Sequence, residues 1–383
     1  MGKIYTALGL MSGTSMDGVD VSVIQTDGKS KYNTILDRYF EYPKNIYKNL
    51  TALRDKINSS KDLKKHKKYI KTVEKEITIF HAKAVNETLK STNVNVDFIG
   101  FHGQTIYHDT NYHDFYYNTF DTKNKISKQL GDGKLLSKLT KKKVVYDFRQ
   151  NDLKNSGQGA PLTPIFHELL AKKFKIKTDV FFVNLGGIAN ITGICGGNID
   201  CAGDIGPAMC LIDKWIRTNS NKKYDERGNL ARSGKINKII LKQGLKINFE
   251  KIHKEIIGRP RKKSFDTKDF DLSFVKRLSL KDGAATLTEL TLLMLLPELE
   301  IYHESKNKII LCGGGRKNKF LVEKIKKKVP IKIIDDYGID GDFVESQAFA
   351  YLAIRSYLGL PISFPKTTGC KKPLTGGKII KIK

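Results

Sequence analysis

The residues best equipped for chemistry come early. Gly9-Leu-Met-Ser-Gly-Thr-Ser-Met-Asp-Gly-Val-Asp20 carries hydroxyls at Ser12, Thr14 and Ser15, carboxylates at Asp17 and Asp20, and glycines at 13 and 18. Gly13 and Gly18 can take positive φ and let backbone approach a ligand. Successive N–H groups in such a turn form an anion cradle, and Asp17 or Asp20 would orient a lysine or a hydrated Mg2+. The stretch is not a P-loop, because no Gly-Lys-Ser/Thr follows and no helix starts there. An ordinary hairpin turn uses the same residue types, so both readings stay open.

Four more clusters follow. His102-Gly-Gln-Thr105 ends the strand Val96 to Phe101, where polar groups at a parallel strand's carboxyl end meet ligand. Asp147-Phe-Arg149 closes another strand. Arg149 suits a bidentate carboxylate clamp, or an internal pair with Asp147 or Asp152. Asp204, within Asp200-Cys-Ala-Gly-Asp204-Ile-Gly-Pro207, reads as an acid at the mouth of a glycine turn before a helix. It is either a general base or a helix N-cap. Gly313-Gly-Gly315 lies between a strand and a helix and suits close approach of a nucleobase or ribose.

The elements that would position these groups alternate between α and β. Strands are expected at Lys3–Leu8 and Val21–Ile24, helices over 44–58 and 60–91. In the second helix Ile70, Val73, Ile77, Phe80 and Ala84 recur at steps of three and four. Residues 106–130 read as hairpins with an exposed tip. A short helix, Leu135–Lys142, and a strand, Val144–Phe148, follow. Ser156-Gly-Gln-Gly-Ala-Pro161 leads into a helix reaching about Phe174, with Pro161 near its first turn. Strand Asp179–Leu185, the turn Gly186-Gly187 and strand Ile188–Ile194 repeat the opening pattern. Thr286–Leu299 reads as a buried helix and Phe343–Leu358 as another, with Glu345 in its first turn. Two strand–glycine turn–strand units point to duplicated α/β halves holding a nucleotide. The expected division is a first lobe of 1–150 joined by the tail 360–383, and a second lobe of 151–359. Residues 222–280, with a break at Gly258-Arg-Pro260, carry little readable chemistry.

Composition bounds the rest. The 383 residues suffice for two lobes. No apolar run nears the ~18 residues a membrane helix needs, and no signal peptide is visible. The start matches the loose myristoylation pattern, but an acyl chain on Gly2 would obstruct the first strand. Five cysteines without CxxC spacing argue for reduced thiols in a cytoplasmic protein and against zinc. The formal charge of +28 is spread along the chain, mostly as lysine. A nucleic-acid partner is therefore not expected. The basic surface would favour anionic ligands.

The series Met11-Ser-Gly-Thr-Ser-Met-Asp-Gly-Val-Asp20, His102-Gly-Gln-Thr105, Asp147-Phe-Arg149, Gly157-Gln-Gly-Ala-Pro-Leu162, Asn184-Leu-Gly-Gly-Ile-Ala-Asn190, Thr286-Leu-Thr-Glu-Leu-Thr291, Cys312-Gly-Gly-Gly315 and Tyr337-Gly-Ile-Asp340 with Glu345 resembles the anhydro-N-acetylmuramic acid kinase family. The motifs stand in family order over nearly the whole chain. The resemblance implies a two-lobed actin/hexokinase/Hsp70-like fold, ribonuclease H-like and duplicated, with lobes closing over Mg-ATP in an interlobe cleft. It implies that 1,6-anhydro-N-acetylmuramate, water and ATP give N-acetylmuramate 6-phosphate and ADP, a step of cell-wall sugar recycling in the cytoplasm, by a homodimer. The family's base falls on Asp204. Gly13, Thr14, Ser15, Met16, Asp17, Gly18, Val19 and Asp20 would hold the phosphates, with Gly186 and Gly187 as the second turn. Gly313, Gly314 and Gly315 would sit by the adenosine. His102, Gln104, Arg149 and Glu345 fall on the sugar side, with Arg149 on the lactyl carboxylate; no metal ligand is assigned. This chain departs from the family at Ile205, Ala208 and Met209, beside the base, and at Arg316-Lys317. The departures keep in view a same-fold nucleotide- or muropeptide-binding protein with impaired turnover, and a related sugar kinase.

Overall fold

The computed structural model describes residues 2–13, 15–110, 125–256, 265, 267–304 and 307–381. Thr14, the expected hairpin tip within 111–124 and the break at 258–260 lie outside them. The chain forms two compact units, Met1–Lys173 with Phe343–Lys383, and Phe174–Asp342.

In the first unit β1 (Tyr5–Ser12), β2 (Gly18–Thr26) and β3 (Tyr32–Glu41) make an antiparallel meander. Helices α1 (Lys44–Lys56), α2 (Ser60–Lys65) and α3 (Lys67–Lys90) lead to β4 (Phe98–Asp109), which pairs parallel to β1. The stripe foreseen on α3 packs onto the sheet: Ile70, Val73, Ile77 and Ala84 are buried with Leu10, Val21 and Phe101, while Phe80 is half-buried. Each buried isoleucine or valine of the stripe stabilises by about 1.5–3 kcal/mol. β5 (Ile126–Leu130) runs antiparallel to the far half of β4, and α4 (Gly133–Thr140) returns the chain to β6 (Lys143–Tyr146), parallel to β4. Then come α5 (Gln150–Lys154) and α6 (Pro164–Lys173). Pro161 therefore precedes the helix rather than opening it, and Pro164 takes that place.

β4 is longer than its apolar run. Parallel pairing with β6 reaches Phe101, Gly103 takes φ +79°, and the strand continues against β5. His102 and Gln104 thus flank a bend inside a strand.

The second unit opens with β7 (Val180–Leu185), β8 (Ile188–Cys195) and β9 (Asn198–Pro207), again an antiparallel meander. Asp204 lies within β9, not on a glycine turn. Glycines 203 and 206 are accommodated in a strand whose register shifts by a bulge opposite Ala189/Asn190. Helices α7 (Cys210–Asn219), α8 (Asn229–Ser233), α9 (Lys238–Ile256) and α10 (Leu280–Glu304) follow. The chain then forms β10 (Lys308–Cys312), parallel to β7, α11 (Lys319–Lys326), and β11 (Lys332–Ile333), parallel to β10. α10 covers one sheet face, with Leu287, Leu290 and Leu295 against Val183, Ile191 and Leu311.

The chain closes in the first unit with α12 (Val344–Tyr357), α13 (Pro365–Thr368) and β12 (Lys378–Ile380), which pairs with β6. Residues 151–173 and 343–359 thus pack with the first unit, where the sequence had placed them in the second lobe. For 343–359 two glycines allow the packing. A Cβ on Gly9 would lie 1.9 Å from the Ser346 carbonyl oxygen, and one on Gly100 2.1 Å from that of Phe349, so α12 lies flush on β1 and β4.

The sheet orders are β12-β6-β4-β1-β2-β3 and β11-β10-β7-β8-β9. Setting β12 and β5 aside, each unit places its strands third, second, first, fourth, fifth, with the same senses. This duplicated ribonuclease H-like order is the actin/hexokinase/Hsp70 type of fold that was expected. No helix among the described residues is long and apolar enough to cross a membrane.

Candidate functional site

The β1–β2 turn is built largely from inside. Met16 and Val19 are buried, so only their backbone can meet a ligand. Gly13 and Gly18 do not take positive φ; Met16 does, at +60°. Its amide closes the turn on the Gly13 carbonyl at 3.1 Å. Gly18 is required for a different reason than expected, since a Cβ there would meet the Phe40 carbonyl at 2.5 Å and the Tyr39 ring at 2.6 Å. Around Gly13 there is open space apart from the Ser15 hydroxyl at 3.8 Å. Ser15 is exposed and its hydroxyl donates to Asp17 at 2.6 Å. Asp17 and Asp20 are half-buried. Gln104 belongs with this turn: its Nε2 donates to the Gly13 carbonyl at 2.9 Å, while its buried Oε1 has no partner among the described residues.

His102 and Arg149 are in contact beside the bend in β4, and Glu345 lies near enough to act on the Arg149 charge. Arg149 donates through Nε (3.2 Å) and one terminal nitrogen (2.8 Å) to His102 Nε2, and through the other to the Gly159 carbonyl at 2.7 Å. His102 Nε2 must therefore accept, so Nδ1 carries the proton and donates to the Gly103 carbonyl at 2.8 Å. Burial and the Arg149 charge keep this imidazole neutral, well below its usual range. Its ring lies 4.5 Å from that of Phe349 on α12. Burial lowers Arg149 to about 10 against the attraction of Glu345, and burial raises the Glu345 carboxyl against that of Arg149. Neither internal pair foreseen for Arg149 forms. Asp147 pairs with Lys378 at 2.6 Å. Asp152 accepts from the Gly159 amide (2.7 Å) and the Thr368 hydroxyl (2.6 Å), which fixes the glycine loop that offers its carbonyl to Arg149. Arg149 thus spends three of five N–H donors and keeps one on each terminal nitrogen, the edge that grips a carboxylate.

In the second unit, register sets Cys312, Asn184, Asn190 and Asp204 opposite one another across β10, β7, β8 and β9. Residues so paired share a sheet face. Asp204 is half-buried and its Oδ2 accepts the Phe265 amide at 2.7 Å. It is not a helix N-cap. The Gly186 and Gly187 carbonyls take that role, accepting from Met209 at 3.0 Å and from Ala208 (3.0 Å) and Cys210 (3.1 Å). Gly313 takes φ +78°, and a Cβ there would lie 2.1 Å from Asn184 Oδ1. Gly315 is pressed against Leu185, whereas nothing lies within 4 Å of a Cβ at Gly314. Of the three glycines, Gly314 leaves open room.

Ile205, Ala208 and Met209 are buried in the core of this unit, so the departures beside Asp204 fill space rather than face a ligand. Arg316 is buried. It donates to Asp335 at 2.6 and 2.9 Å, Asp340 at 2.7 Å, Asp342 at 2.5 Å and the Gly313 carbonyl at 3.2 Å. Lys317 also pairs with Asp342.

Sequence reasoning missed His108, whose Nδ1 lies 2.8 Å from Ser127 Oγ and whose buried Nε2 has no partner among the described residues. It also missed Tyr42 and His81, which flank Ser12. Their partners are 19 to 69 residues away, beyond any local pattern.

The model of the family described as anhydro-N-acetylmuramic acid kinase matches residues 5–381. A protein of that name from Pelagibacter ubique (strain HTCC1062) is 51% identical over 391 residues, covering all of both chains. Another from Agrobacterium fabrum (strain C58 / ATCC 33970) is 36% identical over 398 residues, again covering both chains. One from Zymomonas mobilis subsp. mobilis (strain ATCC 31821 / ZM4 / CP4) is 36% identical, covering 97% of this chain and 99% of its own.

Proposed function

The chain belongs to the anhydro-N-acetylmuramic acid kinase family, and on that premise we propose that it converts 1,6-anhydro-N-acetylmuramate, water and ATP to N-acetylmuramate 6-phosphate and ADP. The observation that carries the substrate side is the Arg149 guanidinium, half-buried and not saturated by its own protein. Its two remaining N–H groups suit the lactyl carboxylate. His102 holds the fork in place as a neutral acceptor, and Glu345 would accept from sugar hydroxyls.

Asp204 takes a proton from water as its oxygen bonds to the anomeric carbon. The C1–O6 bond of the anhydro bridge breaks, O6 bonds to the γ-phosphorus, and the β–γ bridging oxygen leaves with ADP. The Phe265 amide keeps the Asp204 carboxylate aimed. Gly13 and residues 15–20 would offer backbone N–H groups to the phosphates. Gly186 and Gly187 form the second phosphate-side turn, and Gly314, between Gly313 and Gly315, gives room for the adenosine. Among the described residues no group of three or more acids, histidines or cysteines could hold a metal. That suits Mg2+ carried by nucleotide phosphates, which needs only one or two carboxylates from protein; Asp17 and Asp20 are the pair at hand. Such an ion would neutralise phosphate charge. A cytoplasmic homodimer completes the reading.

The test is ADP release by the full chain with Mg-ATP, with and without the anhydro sugar, beside Asp204→Asn. Sugar-dependent ADP that falls by about 10²–10⁴ in the variant supports the reading. ATP binding without sugar-dependent ADP would move the chain to the non-catalytic binding reading.

A further inference from the structure

The β1–β2 turn is fastened from beneath by side chains that no ligand can touch. His81 is buried on α3, with Nδ1 2.7 Å from the Ile77 carbonyl. A carbonyl only accepts, so Nδ1 carries the proton and the neutral ring's Nε2 accepts. Ser12 Oγ lies 3.1 Å from that Nε2 and must donate to it. Its lone pairs then face the Tyr42 hydroxyl at 2.8 Å, which donates. The hydrogen bonds therefore run one way, from Tyr42 to Ser12 to His81 to Ile77. Tyr42 also holds the far end of the turn, its backbone amide donating to the Asp17 carbonyl at 2.8 Å. One buried residue thus grips both the strand residue that enters the turn and the last residue before β2.

We propose that Tyr42 and His81 are positioning residues that set the backbone at Gly13 and at Ser15–Asp17 for nucleotide phosphate, acting through Ser12. The role rests on the reading of this turn as the phosphate site. Backbone N–H donors serve an anion only when already aimed at it. Loss of the Tyr42 hydroxyl leaves Ser12 held by His81 alone and loosens one of the turn's two ends, while the ring, packed 5.0 Å from that of Phe80, stays.

The experiment uses the full chain and a non-hydrolysable ATP analogue with Mg2+, titrated calorimetrically, together with KM for ATP and for the anhydro sugar. Variants are Tyr42→Phe, Ser12→Ala and their double. Tyr32→Phe is the control, since it removes another buried tyrosine hydroxyl, bonded to Gln347 at 2.6 Å, far from the turn. Tyr42→Phe is expected to weaken analogue binding and raise the KM for ATP about five- to tenfold, with the sugar's KM unchanged. The double variant should be no weaker than Ser12→Ala alone, because both remove one path. Tyr32→Phe should lower the melting temperature without moving nucleotide affinity. The proposal is overturned if Tyr42→Phe behaves like Tyr32→Phe, if both KM values rise together, or if the single effects add. If wild type binds the analogue but makes no sugar-dependent ADP, the kinase reading fails while the binding arm still decides this proposal. If wild type does not bind it, both fall.

Discussion

Two arginines, the half-buried Arg149 and the buried Arg316, one in each unit, show how the same side chain is left open or closed. Arg316 uses all five N–H donors, four on Asp335, Asp340 and Asp342 and one on the Gly313 carbonyl. Arg149 uses three, on a neutral imidazole and one carbonyl, with Glu345 as the facing acid. Arg316 is neutralised several times over and has no capacity for a ligand; it ties the glycine turn at 313 to the segment 335–342. Arg149 is desolvated but under-paired, which is costly for a charge, and a carboxylate from outside would relieve that cost. Saturation, more than burial or residue type, separates a structural arginine from a binding one.

The largest effect that would break this contrast is on Arg149. Arg149→Met should lower kcat/KM for the anhydro sugar about 100-fold, with nucleotide affinity unchanged. Arg149→Lys should restore little, since a point charge cannot reproduce the fork. A loss confined to ATP affinity would reverse the assignment.

Arg316→Met should act mainly on stability. Removing the cation leaves three crowded carboxylates, but these are partly exposed. The expected cost is on the order of 2 kcal/mol after solvent screening. Denaturant unfolding reads it. A stable variant that has lost sugar binding would show that Arg316 is not structural.

Acid should separate the units. In the first, burial lowers His81 and His108 to about 4 and His167 to about 3, and burial with Arg149 lowers His102. The unfolded chain then binds more protons between pH 6.5 and 4, so stability falls as pH drops through that window. In the second, burial pushes the Asp335 carboxyl up, but Arg316 outweighs this and holds it below 3.8. That contribution is present above pH 3.8 and is lost only as pH falls through the lowered value. Trp215, the single tryptophan, is buried in the second unit and reports it alone. Circular dichroism should therefore lose signal at a higher pH than tryptophan fluorescence. Coincident transitions would show that the units unfold together.

The smallest expected effect is at Gly314. Gly314→Ala meets open space, so stability should change by no more than about 0.5 kcal/mol. The KM for ATP should still rise if adenosine approaches there, and an unchanged KM would move the adenosine elsewhere.

Much of the fold was legible because its signals are local. The stripe on α3, the strand–glycine turn–strand units and the strand before Gly313 emerged close to where they were expected. β9 was not legible: Gly203 and Gly206 read as a turn, yet pairing with β8 draws them into a strand with a bulge. The membership of α12 was hidden too, since Gly9 and Gly100 become informative only once a helix lies on them.

By itself the sequence determined the order of motifs, the family and the residue types available for chemistry, because these depend on identity and spacing along one chain. Tertiary structure alone decided which polar groups are spent. Arg149 and Arg316 are the same letter, and nothing local in the sequence singles out Gln104, Asp152, Tyr42 or His81. What distinguishes them is how many of their hydrogen-bonding groups are already satisfied by residues far away in sequence. A buried polar group must find a partner, and only the folded chain brings the partners within reach.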